Sequence, residues 1–264
     1  MLELINVNKT FNVGTANEKK ALDNLSLTLN DEDFVTVIGG NGAGKSTMLN
    51  AIAGTFRIDS GSIILDGMNI TSLPEHKRAA FLGRVFQDPQ MGTAPSMMIE
   101  ENMALAARRG QRRGLSWGIT EAERTQYYEL LKSFDLGLED RMTTKVGILS
   151  GGQRQALTLL MATIKKPKFL LLDEHTAALD PKTAAKVLAL SEEIVTREKL
   201  TTLMITHNMK DAIRYGNRLV MMDEGRIVLD ISGEAKKKLT VAELLAKFSE
   251  ASGHDETSDK MLLS

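Results

Sequence analysis

The chain has 264 residues, with 33 lysines and arginines against 34 aspartates and glutamates, and it contains no cysteine. That length suits one large domain, or a core domain that carries an inserted subdomain. A net charge of −1 gives no global field that would attract nucleic acid, and the lack of cysteine excludes disulfides and fits a reducing compartment such as the cytoplasm.

The first residues, MLELINVNKTF, lack the apolar stretch of a signal peptide. Elsewhere no apolar run approaches the roughly 20 residues that span a bilayer. We therefore expect that, if the protein serves a membrane process, another chain supplies the membrane-spanning part.

Three early segments alternate polar and apolar residues loosely and contain turn residues. They are LELINVNKTF (2–11), ALDNLSLTLN (21–30) and GSIILDG (61–67). This pattern predicts a small antiparallel sheet.

Three other segments are short and almost continuously apolar, and each ends in polar residues. They are FVTVIGG (34–40), FLLLDE (169–174) and TTLMITHN (201–208), and helical patterns such as Lys182–Glu198 lie between them. Strands that are covered on both faces of a parallel sheet have this composition, with ligand-facing groups at their carboxyl ends. The alternation predicts an α/β core.

The segment GGNGAGKST (39–47) follows the first of these strands and precedes a helical pattern, STMLNAIAG. Its glycines let the backbone N–H groups wrap a phosphate, Lys45 can neutralise the β and γ oxygens, and the Ser46 hydroxyl can bind Mg²⁺. This spacing and context predict a phosphate-binding loop for a nucleotide.

Polar residues at the other strand ends suit the same chemistry. Asp173 can hold the Mg²⁺ shell, and Glu174 is a candidate base for an attacking water. His207 ends the next strand and can reach a γ-phosphate, and Gln87, in VFQDP, can bring an amide oxygen to the metal.

From Pro89 to Lys145 the sequence is rich in methionine and alanine and has a helical pattern, so we predict a helical insertion over 89–145. Thr120 and Glu123 have the spacing of a capping box and predict a helix start. The insertion divides a core of residues 1–88 and 146–248, and the polar residues 249–264 are predicted to form a flexible tail.

A second possible anion cradle lies far from the first. LSGGQRQALTLL (149–160) places a serine and two glycines at the start of a helical pattern, where free N–H groups point at negative charge.

Taken together and in order, GGNGAGKST, Gln87, LSGGQRQ, FLLLDE, AALD and His207 resemble the nucleotide-binding subunit of an ABC transporter, over Met1 to about Phe248. The resemblance implies a P-loop NTPase (RecA-like) α/β core with an antiparallel β subdomain and the inserted helical subdomain. It also implies that two copies pack head to tail, so that the signature segment (Leu149–Gln155) of one subunit covers ATP bound by the other.

The resemblance assigns roles to individual residues. Lys45 would bind the β and γ phosphates, Thr47 the α phosphate, and Phe11 would stack on adenine, although an aromatic residue after a strand can also be a core residue. The remaining assignments are Gly39, Asn41, Gly42, Ala43 and Gly44 in the loop; Ser46, Gln87 and Asp173 at Mg²⁺; Glu174 as the base; His207 at the γ-phosphate; Ser150, Gly151, Gly152 and Gln153 in the signature segment; and Asp180 between the two sites.

The sequence departs from the family pattern at two positions. His175 stands where most members have proline, and Ala177 where serine is commoner. We expect His175 to be a solvated loop residue, with the alternative that it tunes Glu174, and neither change removes a catalytic group.

In the family, a groove beside the glutamine loop receives a helix of the membrane permease, which here would contact the chain from Gln87 to Leu105. Met97, Met98 and Met103 suit such a contact, or fill the subdomain's own core. RRGQRRG (108–114) suits anionic headgroups or permease loops, and we favour a solvated loop.

The favoured function is an ATP hydrolase on the inner face of the cell membrane that powers transport through a separate permease, with import favoured, an extracytoplasmic solute-binding protein as a further partner and an amino acid as a possible solute. A soluble ABC ATPase acting on nucleic acid or the ribosome is the alternative, although the near-zero charge gives no support to nucleic-acid binding. The ATPase of an exporter and a clamp that binds ATP without hydrolysing it are also open, and Glu174 argues against the clamp.

Overall fold

The computed structural model describes residues 1–111 and 118–252. The strands are β1 (Leu2–Phe11), β2 (Lys19–Leu29), β3 (Phe34–Ile38), β4 (Ser60–Leu65), β5 (Met68–Asn69), β6 (Leu82–Val85), β7 (Phe169–Asp173), β8 (Thr201–Ile205), β9 (Arg218–Asp223) and β10 (Arg226–Ser232). The helices are α1 (Lys45–Ala53), α2 (Glu75–Arg78), α3 (Ile99–Ala107), α4 (Glu121–Lys132), α5 (Gly151–Thr163), α6 (Pro181–Glu198), α7 (Met209–Arg214), α8 (Gly233–Lys237) and α9 (Val241–Ser252), with 3₁₀ turns at Glu139–Arg141 and Val146–Ile148.

The described residues form two compact units. The first comprises Met1–Arg78 and the described residues from Leu200 onward, and the second comprises Ala79–Lys199. The predicted helical insertion, 89–145, lies entirely within the second unit.

The first unit contains the antiparallel sheet that the early segments predict, with strand order β2-β1-β4-β5. Leu2 of β1 pairs with Leu29 on one side and Leu65 on the other. All three side chains are buried. They lie on the same face, because residues at facing positions of neighbouring strands point to the same side of a sheet.

The same unit contains a parallel group in which β3 lies between β8 and β9. Every residue of β3 and of β8 is buried, which confirms that these apolar runs are strands covered on both faces. Strand β10 adds to β9 in antiparallel orientation.

The carboxyl-terminal helix α9 corrects the predicted start of the tail. It continues to Ser252, so residues 249–252 are helical rather than part of a flexible segment. The physical reason lies in Leu244 and Phe248, which are buried against Met209 and Leu219 in an apolar cluster. Residues 253–264 of the predicted tail lie outside the described part of the chain.

Arg78 holds the carboxyl end of α1. Its side chain is only 2 % exposed, and its Nη1 donates to the carbonyl oxygens of Ala51 and Ile52, at 2.7 Å each. Its other nitrogens donate to Leu73 O (2.8 Å) and Thr71 O (2.9 Å). Carbonyls at the end of a helix lack partners within that helix, so the arginine satisfies groups that burial would otherwise leave costly.

The second unit pairs β6 with β7 in parallel, and α3, α4, α5 and α6 belong to it. Helix α4 begins as predicted: Glu123 N donates to Thr120 Oγ1 (3.2 Å), and Thr120 N donates to Glu123 Oε2 (2.7 Å). The predicted helix Lys182–Glu198 is α6.

Candidate nucleotide site

The glycine loop in the first unit joins β3 to α1. Gly39 has φ 151° and Gly44 has φ 100°, and an added Cβ would lie 2.2 Å from Met222 O at Gly39 and 2.5 Å from Ala21 O at Gly44. Both positions therefore require glycine. Gly44 caps α1 without a side-chain acceptor, so the N–H groups of the first turn receive no side-chain cap and can bind an anion.

Lys45 lies within this loop. Its side chain is buried, and its Nζ donates to Gly39 O (2.7 Å) and Gly40 O (3.0 Å). The loop's own carbonyls thus hold the ammonium group within the glycine loop. Asn41 and Ser46 are exposed beside it, and Thr47 is half-buried.

The structure brings His207 to the same edge of the sheet as the loop. Strands β3 and β8 are parallel neighbours, with Val37 paired to Ile205. Gly39 and His207 each lie two positions beyond these partners, and the carboxyl ends of parallel strands meet at one edge. His207 is half-buried there.

Phe11 and Lys19 belong to the same unit. The half-buried Phe11 ring packs edge-to-face against Phe56, with ring centroids 5.4 Å apart, and Lys9 Nζ lies 5.4 Å from its centroid. Lys19 Nζ lies 2.7 Å from the position of a Cβ added to Gly42, so it stands beside the glycine loop. Sequence reasoning missed Lys19, because a lone lysine at a strand start carries no motif.

In the second unit, Gln87, Asp173 and Glu174 lie at the same edge of the β6–β7 strand pair. Val85 of β6 pairs with Leu172 of β7, so Gln87 follows β6 at the edge where Asp173 ends β7 and Glu174 follows it. Gln87 is exposed, and Glu174 adopts a left-handed backbone conformation with φ 45°. Strain of this kind in a residue other than glycine is often found at functional sites.

Arg84, which sequence reasoning did not single out, contacts the first of these acids. Its Nη2 lies 3.2 Å from Asp173 Oδ2, and both side chains are 14 % exposed. Its guanidinium carbon lies 4.5 Å from the centroid of the Phe86 ring.

The signature segment begins α5, as its sequence predicts. Ser150 is the N-cap: its Oγ accepts from Gln153 N (3.3 Å), and its own N donates to Gln153 Oε1 (3.2 Å). Ser150 and Gly151 are exposed, whereas Gly152 is buried. The exposed helix start can therefore face a ligand with its remaining N–H groups.

Gly152 permits a close approach of α5 and α6. An added Cβ would lie 2.1 Å from Thr183 Cγ2, which is closer than any side-chain atom can sit. Thr183 follows Asp180, the N-cap of α6, whose Oδ1 accepts from Thr183 N at 3.1 Å. Hydrogen bonding from Thr183 lowers the pKa of Asp180. The signature segment and Asp180 therefore lie at the starts of two helices that are in direct contact at Gly152 and Thr183.

The expectation of a solvated His175 is wrong. The ring is 2 % exposed, and Nε2 lies 3.0 Å from Ser191 Oγ. Because Ser191 Oγ donates its proton to Val187 O at 2.8 Å, Nε2–H is the donor in the His175 contact. Burial lowers the pKa of His175 to about 4, so the imidazole is neutral at physiological pH.

The methionines of the predicted permease-contacting segment divide between core and surface. Met103 is fully buried, which settles it as a core residue. Met97 is half-buried and Met98 is exposed. Met91, Leu105 and Ile148 are further exposed apolar residues of this unit.

The start of the basic stretch is not a solvated loop. Arg108 Nη2 pairs with Glu123 Oε1 at 3.0 Å, and Arg109 Nη2 donates to Ala162 O at 3.1 Å. Burial lowers the pKa of Arg109. The rest of the stretch, Arg112–Gly114, lies outside the described residues.

Residues 1–111 and 118–252 contain no cluster of three or more histidine, aspartate or glutamate side chains that could enclose a metal ion. Within the same ranges, every helix is too short or too polar to cross a bilayer.

Comparison with known proteins agrees with the geometry. The family model described as ABC transporter matches residues 22–177, a range that holds the glycine loop, Gln87, the signature segment and both acids. A tyrosine transport ATP-binding protein of Clostridioides difficile (strain R20291) is 46% identical over 248 residues, which cover 94% of this chain and 98% of that protein.

A methionine import ATP-binding protein, MetN, of Rhizobium etli is 37% identical over 86% of this chain, and the match spans 60% of that longer relative. Among solved structures, a dimeric post-hydrolysis state of the ATP-binding cassette MJ0796 bound to ADP and Pi superimposes with a TM-score of 0.75 at 30% identity, covering 88% of this chain and 98% of that one. The family match covers more than half of the chain, and it includes the loop whose glycines the backbone requires. The chain belongs to the ABC transporter family, as an ATP-binding cassette ATPase with a P-loop NTPase fold.

Proposed function

We propose that this ATPase is the separate energy-supplying subunit of a membrane importer for a small solute. The observation that carries the proposal is the uncapped start of α1 behind a loop that only glycine can form, with the Lys45 ammonium held at that loop. It is a preformed site for the phosphates of ATP.

Mg²⁺ fits the oxygen donors that these residues offer. Ser46 supplies a hydroxyl, Gln87 an amide oxygen and Asp173 a carboxylate, all of which are hard ligands. When bound, the ion neutralises charge that develops on the transferred phosphoryl group.

The chain's own residues would divide the chemistry as follows. Lys45 and the loop N–H groups hold the β and γ phosphates, Thr47 the α phosphate, and Phe11 the adenine. Glu174 accepts a proton from water as the water oxygen attacks the γ-phosphorus, the bond to the β–γ bridging oxygen breaks, and ADP and phosphate leave. His207 donates a hydrogen bond to the γ-phosphate.

A second copy of the chain would complete each site. Ser150, Gly151, Gly152 and Gln153 form an anion-binding helix start of their own, and each motif occurs once per chain. We assign the signature segment to ATP bound by the partner copy, with Asp180 near the junction of the two sites. The dimeric cassette structure among the structural relatives supports a dimer.

The membrane partner is a permease that contacts the region from Gln87 to Leu105. Exposed Met91, Met98 and Leu105 supply the adaptable apolar surface that a partner helix requires. The relatives that transport tyrosine and import methionine support an amino acid as the solute. A solute-binding protein outside the cell would deliver it, and the cassette would sit on the inner face of the membrane.

Co-purification and uptake test this function. The chain should purify from mild detergent with a polytopic membrane protein. Vesicles that hold this complex with the cassette facing the lumen should accumulate an amino acid only when ATP is enclosed in the lumen. Robust ATP turnover with no membrane partner, combined with association with ribosomes or RNA, would favour the soluble alternative. Efflux in place of accumulation would refute import.

A further inference from the structure

The contact between Arg84 and Asp173 follows from the pairing of β6 with β7. Arg84 pairs with Leu171, so Asp173 is the diagonal neighbour two positions further along β7. Side chains two positions apart point to the same face, and the diagonal distance is within reach of an arginine. The sheet register therefore directs the guanidinium to the carboxylate, and the 3.2 Å separation of Nη2 and Oδ2 is its outcome.

The position of Arg84 is supported from a second side. Its guanidinium lies over the Phe86 ring, with 4.5 Å between the guanidinium carbon and the ring centroid. The carbonyl oxygen of Phe86 in turn accepts from Nε2 of the fully buried Gln155 on α5, at 3.0 Å. The arginine is thus held beside Asp173 by a ring whose backbone is itself fixed.

A carboxylate that is 14 % exposed needs a counter-charge, because partial burial penalises an unpaired ion. Arg84 supplies this counter-charge, with Nη2 3.2 Å from Asp173 Oδ2. A divalent cation at Asp173 would meet the same oxygen atoms and the same positive neighbour. The two cations would therefore compete for one carboxylate.

We propose that Arg84 is the resident counter-ion of Asp173, which neutralises this carboxylate while Mg²⁺ is absent and sets how strongly nucleotide binding depends on Mg²⁺. The inference rests on the proposed place of Asp173 in the magnesium site. Arg84 would weaken the hold of Asp173 on the cation.

The test measures binding rather than turnover. The dissociation constant of a non-hydrolysable ATP analogue is determined by calorimetry in EDTA and again in saturating Mg²⁺. The constant in EDTA divided by the constant in Mg²⁺ is the ratio that reports the metal dependence. Arg84→Met keeps an apolar stem against Phe86 and removes the charge, so the ratio should rise by about tenfold or more, as expected for loss of a neighbouring unit charge. Arg84→Lys should stay near wild type.

Two controls give the result its meaning. Arg197→Met removes a surface arginine of α6 that pairs with Glu193, and it should leave the ratio unchanged. In Asp173→Asn the ratio should fall, and adding Arg84→Met to that variant should change nothing further. Thermal melts establish that each variant folds, and Arg84→Gln replaces Arg84→Met if the latter does not.

The outcomes distinguish failure of the counter-ion role of Arg84 from failure of the magnesium role of Asp173. If Asp173→Asn lowers the ratio while Arg84→Met and Arg84→Gln stay within about twofold of wild type, the counter-ion role is overturned and the magnesium role of Asp173 stands. If Asp173→Asn leaves the ratio unchanged, the magnesium assignment itself is wrong, and the inference about Arg84 is overturned with it.

Discussion

His175 Nε2 lies 3.0 Å from Ser191 Oγ, and both side chains are buried. The bond ties the residue after Glu174 to the middle of α6. The ring is neutral at physiological pH, since burial lowers the pKa of His175 to about 4.

The buried histidine predicts an acid-sensitive stability. Between pH about 6.5 and 4 the unfolded chain binds a proton at His175 that the folded chain does not, so the free energy of unfolding falls as the pH is lowered through this window. The contribution of this residue is on the order of 3 kcal/mol across the window, at about 1.4 kcal/mol per pH unit. Above pH 6.5 the contribution is complete and constant.

Urea denaturation at several pH values checks this expectation. His175→Gln keeps an N–H donor toward Ser191 and cannot titrate, so its unfolding free energy should decline less steeply than that of wild type below pH 6.5. His76→Gln, at an exposed position of α2, is the matched control and should follow wild type. Parallel pH profiles for wild type and His175→Gln would contradict the assignment.

Glu174 is the second target. Glu174→Gln keeps the shape of the side chain and removes the proton acceptor, so ATP turnover should fall by about 10² to 10⁴ while nucleotide binding persists. Steady-state phosphate release and analogue binding measure the two quantities separately. Glu193→Gln, on the exposed face of α6, should hydrolyse ATP at the wild-type rate. Near-normal turnover in Glu174→Gln would exclude this glutamate as the base.

Ser150 tests whether the signature segment acts on the partner's nucleotide. Ser150→Phe should leave ATP binding by the isolated chain nearly unchanged and prevent ATP-dependent dimers, which light scattering detects in the Glu174→Gln background. The substitution also removes a helix cap at a cost of about 1 kcal/mol. Thr120→Phe removes the equivalent capping box of α4 and should leave dimers intact. Loss of ATP binding in monomeric Ser150→Phe would argue for a role within the same chain.

Gly152 tests the packing of α5 on α6. Alanine is favoured over glycine within a helix by about 1 kcal/mol, but its Cβ would overlap Thr183 Cγ2, and overpacking costs about 1–3 kcal/mol. We expect Gly152→Ala to lower the melting temperature. Thr183→Ser removes the clashing methyl group, so the double variant should recover most of the loss. A Gly152→Ala variant as stable as wild type would mean that the two helices can separate freely.

Much of this protein is determined locally. The glycine loop, the apolar runs of β3, β7 and β8, and the capping box of α4 each depend on residues that are neighbours in the chain, so backbone conformation and burial pattern could be predicted from short windows. The family motifs are likewise short and ordered, so they predict an ATP-binding cassette without reference to any tertiary contact.

The tertiary structure alone decided the contacts between distant segments. Arg84 meets Asp173 because of the β6–β7 register, and His175 meets Ser191 because a loop folds onto α6. Gly152 is required by the methyl group of Thr183 on another helix, and α9 extends to Ser252 because Phe248 finds an apolar cluster. The physical reason is common to all four: the free energy of burying or charging a side chain depends on what surrounds it, and those surroundings come from other parts of the chain.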